Sequence, residues 1–175
     1  MKEMTSIFFQ ALAEPDFHDF RNEVKEVFSI AIAEHFGLSR DGNFFEDDDI
    51  DGMLRDPKSA VYAIYVDGRR AGGVALHIDP ESRRNRMDLF YFYPGFHNQG
   101  LGGCVWKMIE EMYPETVVWE LFTPYFEKRN IHFYVNKCGF RIVEFFCRHH
   151  ADPAVKQQPE PFHNEYFRFE KQMKV

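Results

Sequence analysis

One change of rhythm governs what this chain can become. From Ala60 to Val66 and from Ala71 to Ile78 the residues are β-branched and aromatic, and Asp67-Gly68 between them is a strong hairpin signal. A third run, roughly Met87 to Tyr93, ends at Pro94-Gly95. The period then lengthens: Leu101, Cys104, Val105, Met108, Ile109 and Met112 follow the spacing of an amphipathic helix that stops at Pro114. The chain therefore needs strands and helices together.

The flanking segments extend the pattern. Glu14-Pro15-Asp16 opens a helix in which Phe17, Phe20, Val24, Val27, Phe28, Ala31 and His35 recur at helical spacing until Gly37. Residues 44 to 56 read as a shorter acid-rich helix ended by Asp56-Pro57. Beyond Pro114, Thr116 to Phe122 reads as a strand, Lys128 to Lys137 as a helix and Gly139 to Cys147 as a strand. After a Pro-rich loop, Glu165 to Phe169 reads as the last strand. No internal repeat or linker interrupts 175 residues, so a single domain over residues 1–175 is expected.

Charge narrows the partners. Twenty-eight acids against 21 bases leave a net charge of -7, which argues against nucleic acid and favours cationic partners. No run of about 18 apolar residues crosses a membrane and the N-terminus lacks a signal-peptide pattern, so a soluble, cytoplasmic protein is expected. Cys104, Cys138 and Cys147 cannot all pair, and Cys104 is expected to pack on the apolar face of its helix. The 20 Phe and eight Tyr suit a core and a dimer interface.

The segment Phe92-Tyr93-Pro94-Gly95-Phe96-His97-Asn98-Gln99-Gly100-Leu101-Gly102-Gly103 carries the chemistry. A strand, a glycine-containing loop and a helix start follow one another, so successive backbone N–H groups and the helix dipole can receive a pyrophosphate without Lys or Arg. The P-loop Lys-Ser/Thr pair is missing, and the dinucleotide fingerprint G-x-G-x-x-G is not completed.

These residues resemble the phosphate loop of the GNAT superfamily of acyl-CoA-dependent N-acyltransferases, which reads R/Q-x-x-G-x-G/A after a strand ending in V-x-P. A second family motif, a helix carrying Asn and Tyr that closes in Gly-Phe, is similar to Asn130-Ile131-His132-Phe133-Tyr134-Val135-Asn136-Lys137-Cys138-Gly139-Phe140. The resemblance implies an α+β fold: a GNAT-like mixed, mostly antiparallel six- or seven-stranded sheet flanked by about four helices. It implies a splay where the strand ending at Phe92 meets the strand containing Glu120, with acetyl-CoA entering there. It further implies cosubstrate binding by Phe90, Tyr91, Phe92, His97, Asn98, Gln99, Gly100, Leu101, Gly102, Gly103 and Asn130. The implied reaction is direct acetyl transfer from acetyl-CoA to a primary amine on a small molecule or peptide.

Three departures from the pattern are visible. His97 replaces Arg or Gln at the start of the loop, and Phe92 replaces Val. Tyr134 lies five residues before Gly139 where the family has four, which puts Val135 at the Tyr position. A one-residue step turns a helix by about 100°, so Tyr134 meets a thioester only if the helix is bulged. A catalytically silent acyl-CoA-binding module is the alternative reading.

An alkylamine with a pKa near ~10.4 is free base in about one molecule in ~10³ at neutral pH, equivalent to roughly 4 kcal/mol, so a proton acceptor is required. Glu120, the one acid among Val118, Trp119, Leu121 and Phe122, is the first candidate, and Asp88 the second; Tyr134 is the candidate acid for the departing thiolate. Metal chemistry is not expected. Asp47-Asp48-Asp49-Ile50-Asp51-Gly52 begins like a calcium loop but has Lys58 where a bidentate Glu is needed, and Cys138, Cys147, His149 and His150 lack zinc spacing.

Overall fold

The computed structural model describes residues 5–38, 46–155 and 165–174. Seven strands, β1 (Ile7–Ala11), β2 (Ser59–Val66), β3 (Arg69–His77), β4 (Arg84–Phe92), β5 (Val118–Pro124), β6 (Arg141–Phe146) and β7 (Tyr166–Gln172), are ordered β1-β2-β3-β4-β5-β7-β6. Four helices accompany them: α1 (Phe17–Phe36), α2 (Asp47–Leu54), α3 (Leu101–Met112) and α4 (Lys128–His132). The result is a mostly antiparallel α+β sheet, as expected. Chain contacts divide it into two compact units, Met1–Asp79 with Met87–Val105, and Pro80–Arg86 with Trp106–Val175.

In the first unit the hairpin forms as the sequence dictates. Asp67 (φ 50°) and Gly68 (φ 76°) are both left-handed, the backbone a two-residue hairpin turn demands. Asp67 also accepts a 2.8 Å bond from the Ser6 N–H on Oδ1 and donates its own N–H to the Ser6 carbonyl, fastening the hairpin tip to the start of β1. β1 is the element that sequence reading missed. It is five residues long and earns its place by pairing, Ile7 opposite Val66 through Ala11 opposite Tyr62, with Phe8 stacked on Tyr65 at 4.7 Å.

α1 covers this unit with Phe20 and Val24, which join Ile50 and Leu54 of α2, Val61, Ala75 and Tyr91 in one buried cluster. Gly37, at φ 64°, ends the helix as its position in the sequence implies. The acids opening α2 are helix-start groups with ordinary partners. Asp51 accepts from Arg21 Nη1 at 2.7 Å, and Asp47 pairs with Lys25 and, at 3.9 Å, with Arg21. Phe44 and Phe45, expected to begin this helix, lie outside the described residues.

In the second unit β7 lies between β5 and β6, both antiparallel to it. One face of β5 and β7 is a core: Trp119, Leu121 and Phe169 are essentially inaccessible, and Trp106 packs on Trp119 and Phe140 at 5.3 and 5.0 Å. β6 carries a register shift between Ile142 and Glu144, and Ile142, Val143 and Phe145 are exposed along it.

Expected boundaries shift where packing overrides pattern. β4 starts at Arg84, three residues earlier than expected, because the buried Asn85 side chain donates to Thr116 Oγ1 at 2.7 Å and so finds a partner inside. Cys104 is exposed, against its expected place in the core. The buried arc of α3 runs through Leu101, Val105, Trp106 and Ile109, and the bulky Trp106 turns that arc away from Cys104 and Met112.

The closest packing constraint in the first unit is β3 against β4. A Cβ at Gly72 would lie 2.0 Å from the Tyr91 carbonyl oxygen, and one at Gly73 would lie 2.6 Å from Phe20 Cε2. Gly72→Ala is expected to cost about 3 kcal/mol or more because backbone must move. Gly68→Ala, strained only by its positive φ, should cost about 1 kcal/mol. Urea unfolding of the two variants checks the order.

Candidate functional site

The loop after β4 is built by its own hydrogen bonds. Tyr93 N–H pairs with the Ala71 carbonyl at 2.8 Å, so the strand is still anchored to β3 one residue before Pro94 begins a short 3₁₀ turn, Pro94–Phe96. Asn98 (φ 62°) and Gly100 (φ 73°) then take left-handed backbone, and α3 starts at Leu101. Its first N–H groups have no acceptor within the helix, and the helix dipole adds positive potential at the same end.

Two polar side chains of this loop, those of His97 and Gln99, brace it from within. His97 Nε2 lies 2.9 Å from the Phe92 carbonyl, which fixes that ring nitrogen as the donor, and Gln99 Nε2 donates to the Gly95 carbonyl at 3.0 Å. Phe96 lies beneath the Arg69 guanidinium, 5.6 Å from ring centre to Cζ. His97 is therefore a strut of the loop. With these two side chains committed to the loop, the donors at this helix start that can meet an anion include its main-chain amides.

Three residues of β4 differ in what they can offer. Phe90 and Phe92 share a face and meet edge to face at 5.5 Å. Tyr91 points the other way and is buried; its hydroxyl donates to Glu23 Oε2 at 2.7 Å, and Arg70 Nη2 donates to the same oxygen at 2.8 Å. Burial and the Glu23 carboxylate push the Tyr91 hydroxyl far above its usual range, and they push the Tyr93 hydroxyl up to about 12. Only the main chain of Tyr91 is left for a ligand. Asp88 is half-buried and falls on the Phe90 and Phe92 side of the strand by alternation. Glu23, which collects two hydroxyl and guanidinium donors on α1, was not singled out from sequence because nothing in a helical pattern announces what a strand far along the chain will place beneath it.

In the second unit the helix that begins with α4 changes its winding. Lys128–His132 is α-helical and Phe133–Lys137 is a π-helical turn, with the Cys138 N–H reaching back to the Phe133 carbonyl at 3.1 Å. A π turn inserts one residue, which is the offset seen in sequence between Tyr134 and Gly139. The bulge required for Tyr134 is present. Gly139 (φ 81°) then turns the chain, and Phe140 N–H bonds the Tyr134 carbonyl at 3.0 Å. Asn130 is half-buried in α4.

Tyr134 is buried against Phe133, Phe140 and Phe169, at ring distances of 5.2, 5.9 and 6.0 Å. Its desolvation pushes the hydroxyl well above the usual phenol range, so it is protonated and holds its proton more tightly than an exposed phenol. Glu120 is half-buried, and its Oε2 accepts from Arg168 Nη1 at 3.1 Å with Arg84 Nη2 3.8 Å away. Arg168 belongs to the side of β7 opposite Phe169, so Glu120 and Tyr134 lie on opposite faces of the β5–β7 pair.

Matches with known proteins agree with this architecture. Residues 18–140 match the model of the acetyltransferase (GNAT) family. The chain belongs to that family. This GNAT chain is 42% identical to the uncharacterised Bacillus subtilis protein YrkN, over 99% of this chain and 97% of that one. Its fold is similar to that of a Vibrio cholerae spermidine N-acetyltransferase solved with CoA and spermine, with a TM-score of 0.66, 12% identity and 95% of each chain covered. It is also similar to a Thermoplasma acidophilum PaiA N-acetyltransferase solved with coenzyme A, at a TM-score of 0.63, 13% identity and coverage of 96% and 99%.

The cysteines of this GNAT chain test the corrected orientation of α3. Burial pushes the Cys138 thiol up to about 12, whereas Cys104 is exposed. At pH 8 a thiol-reactive disulfide reagent should label Cys104 in the native protein, and Cys138 only after unfolding. Mass spectrometry of the labelled peptides reads the outcome.

Proposed function

We propose that this protein transfers an acetyl group from acetyl-CoA to a primary amine by direct attack, working in the cytoplasm as one catalytic domain. The observation that carries the proposal is the braced loop from Asn98 to Gly103, whose main-chain amides open α3 in a chain of the acetyltransferase family. That donor set suits a pyrophosphate. Acetyl-CoA, when bound, supplies an acetyl group activated as a thioester.

The remaining chemistry belongs to the chain. The main chain of Phe90, Tyr91 and Phe92 and the side chain of Asn130 bind the arm of the cosubstrate. Glu120 accepts a proton from the acceptor ammonium, directly or through water, which frees the nitrogen lone pair; Asp88 is the second candidate for that role. Tyr134 donates its hydroxyl proton to the departing sulfur. These are two different protons at two atoms joined to one carbon, so the acid and the base must both reach that centre; with Glu120 and Tyr134 on opposite faces of β5 and β7, the scheme requires the centre to lie at the edge of β5 and not over either face.

One observation favours an enzyme over a silent binding module. The π turn absorbs the residue that put Tyr134 out of register. The acidic balance of the chain, -7 in net charge, favours cationic acceptors such as polyamines or peptide N-termini.

Calorimetry with acetyl-CoA tests the loop, and Gly100→Val, which forces a β-branched residue into φ 73°, is expected to weaken binding at least about tenfold with the fold retained. Absence of binding to wild-type protein removes the proposal. Tyr134→Phe should lower kcat by roughly 10²-fold while the affinity for acetyl-CoA stays near wild type. Unchanged turnover in that variant takes the acid role away from Tyr134.

A further inference from the structure

Glu120 does not stand alone on its face of the second unit. Arg168, its neighbour on β7, donates through Nη1 to Glu120 Oε2 at 3.1 Å and to Glu170 Oε1 at 2.7 Å. Its Nε donates to Glu144 Oε2 on β6 at 2.9 Å. One guanidinium thus ties together carboxylates from three strands. Arg84, at the start of β4, adds a second cation, bonded to Glu170 Oε1 at 2.6 Å and 3.8 Å from Glu120 Oε2. His150 closes the far side of the cluster, with Nε2 2.9 Å from Glu144 Oε1 and its ring stacked on Phe146.

The geometry around Glu120 is one-sided. Both cations make their closest approach to Oε2. The bond to Glu120 is a single one, but the planar fork of donors that makes it is itself oriented by its bonds to Glu144 and Glu170, which fixes the direction from which Nη1 meets Oε2. Three acids are also gathered within reach of one another. Without the guanidinium their mutual repulsion would drive the carboxylates apart.

We propose that Arg168 is a positioning residue for catalysis: its bond to Oε2 sets the orientation in which the Glu120 carboxylate meets the acceptor amine. The inference rests on the reading of Glu120 as the proton acceptor. It adds a residue on the last strand, about 50 positions from Glu120 in sequence, that acts through the carboxylate and touches no reacting atom. It also accounts for the crowding of acids here. Glu144 and Glu170 balance and orient the guanidinium.

A double-mutant cycle tests this in the full chain. CoA release from acetyl-CoA is followed with spermidine, putrescine and alaninamide, and the fastest of the three is used for the variants. Glu120→Gln and Arg168→Gln are each expected to lower kcat at least about tenfold with an unchanged KM for acetyl-CoA. The double variant should be no slower than Glu120→Gln alone, since the arginine acts only through the lost carboxylate. Arg168→Lys, which keeps the charge and loses the fork, should recover part of the rate. If Arg168→Gln does not fold, the cycle is run with Arg168→Lys, whose deficit should vanish in the Glu120→Gln background.

The outcomes separate the two ideas. A slow Glu120→Gln together with a wild-type Arg168→Gln, or with losses that multiply in the double variant, overturns the role of Arg168 and leaves Glu120 in place. A Glu120→Gln variant with wild-type turnover, or no turnover of any of the three amines, overturns the reading of Glu120 and the inference with it.

Discussion

The approach of β3 to β4 at Gly72 is the contact on which the first unit depends. Two main chains lie so near that a single methyl group would overlap the Tyr91 carbonyl, and Gly73 next to it makes room for Phe20 and the Tyr91 ring. Everything that matters for the loop follows from that closeness. It sets the path of β4, and Tyr93 N–H, still paired with Ala71, fixes where the strand ends. It also turns Tyr91 inward to Glu23, where Arg70 shares the carboxylate. Buried polar groups of this kind are costly unless fully paired, so the Glu23 cluster fixes strand and helix at a definite register.

The second unit meets a different constraint, the fit of a helix to its own ending. Gly139 must turn the chain with a positive φ, and Phe140 and Cys138 must both be buried beyond and before it. With one residue too many between Tyr134 and the turn, a regular α-helix would carry Tyr134 about 100° away from its aromatic neighbours. The π turn Phe133–Lys137 takes up the surplus and keeps Tyr134 against Phe140 and Phe169. Hydrogen-bond geometry in the turn is less favourable than in an α-helix, and such turns recur where a side chain must be aimed.

Much of this was legible from the chain alone, for reasons that differ residue by residue. The hairpin was readable because Asp67-Gly68 states its backbone conformation, and the glycine loop because its residues carry a family pattern. The need for a bulge could be counted from the spacing of Tyr134 and Gly139, although only the structure shows which kind of bulge forms. Other features depend on partners distant in sequence. β1 is defined by what it pairs with, Cys104 is exposed because Trp106 claims the buried arc, and the company Glu120 keeps is decided by β7, 48 residues later for Arg168. Periodicity shows which face is apolar, and it is silent about which charges will meet.

The shape of β6 has a consequence for how the protein behaves in concentrated solution. Among the described residues no strand pairs beyond it, and Ile142, Val143 and Phe145 are exposed along it. An open ladder with apolar side chains is the usual template for runaway strand addition between molecules. The register shift between Ile142 and Glu144 breaks the even spacing that an incoming strand would need, and the Glu144 carboxylate, already committed to Arg168, holds a charge beside the irregularity. The edge is thereby made irregular while its inner side remains paired with β7, and Glu144 joins that irregular edge to the ion pairs around Glu120.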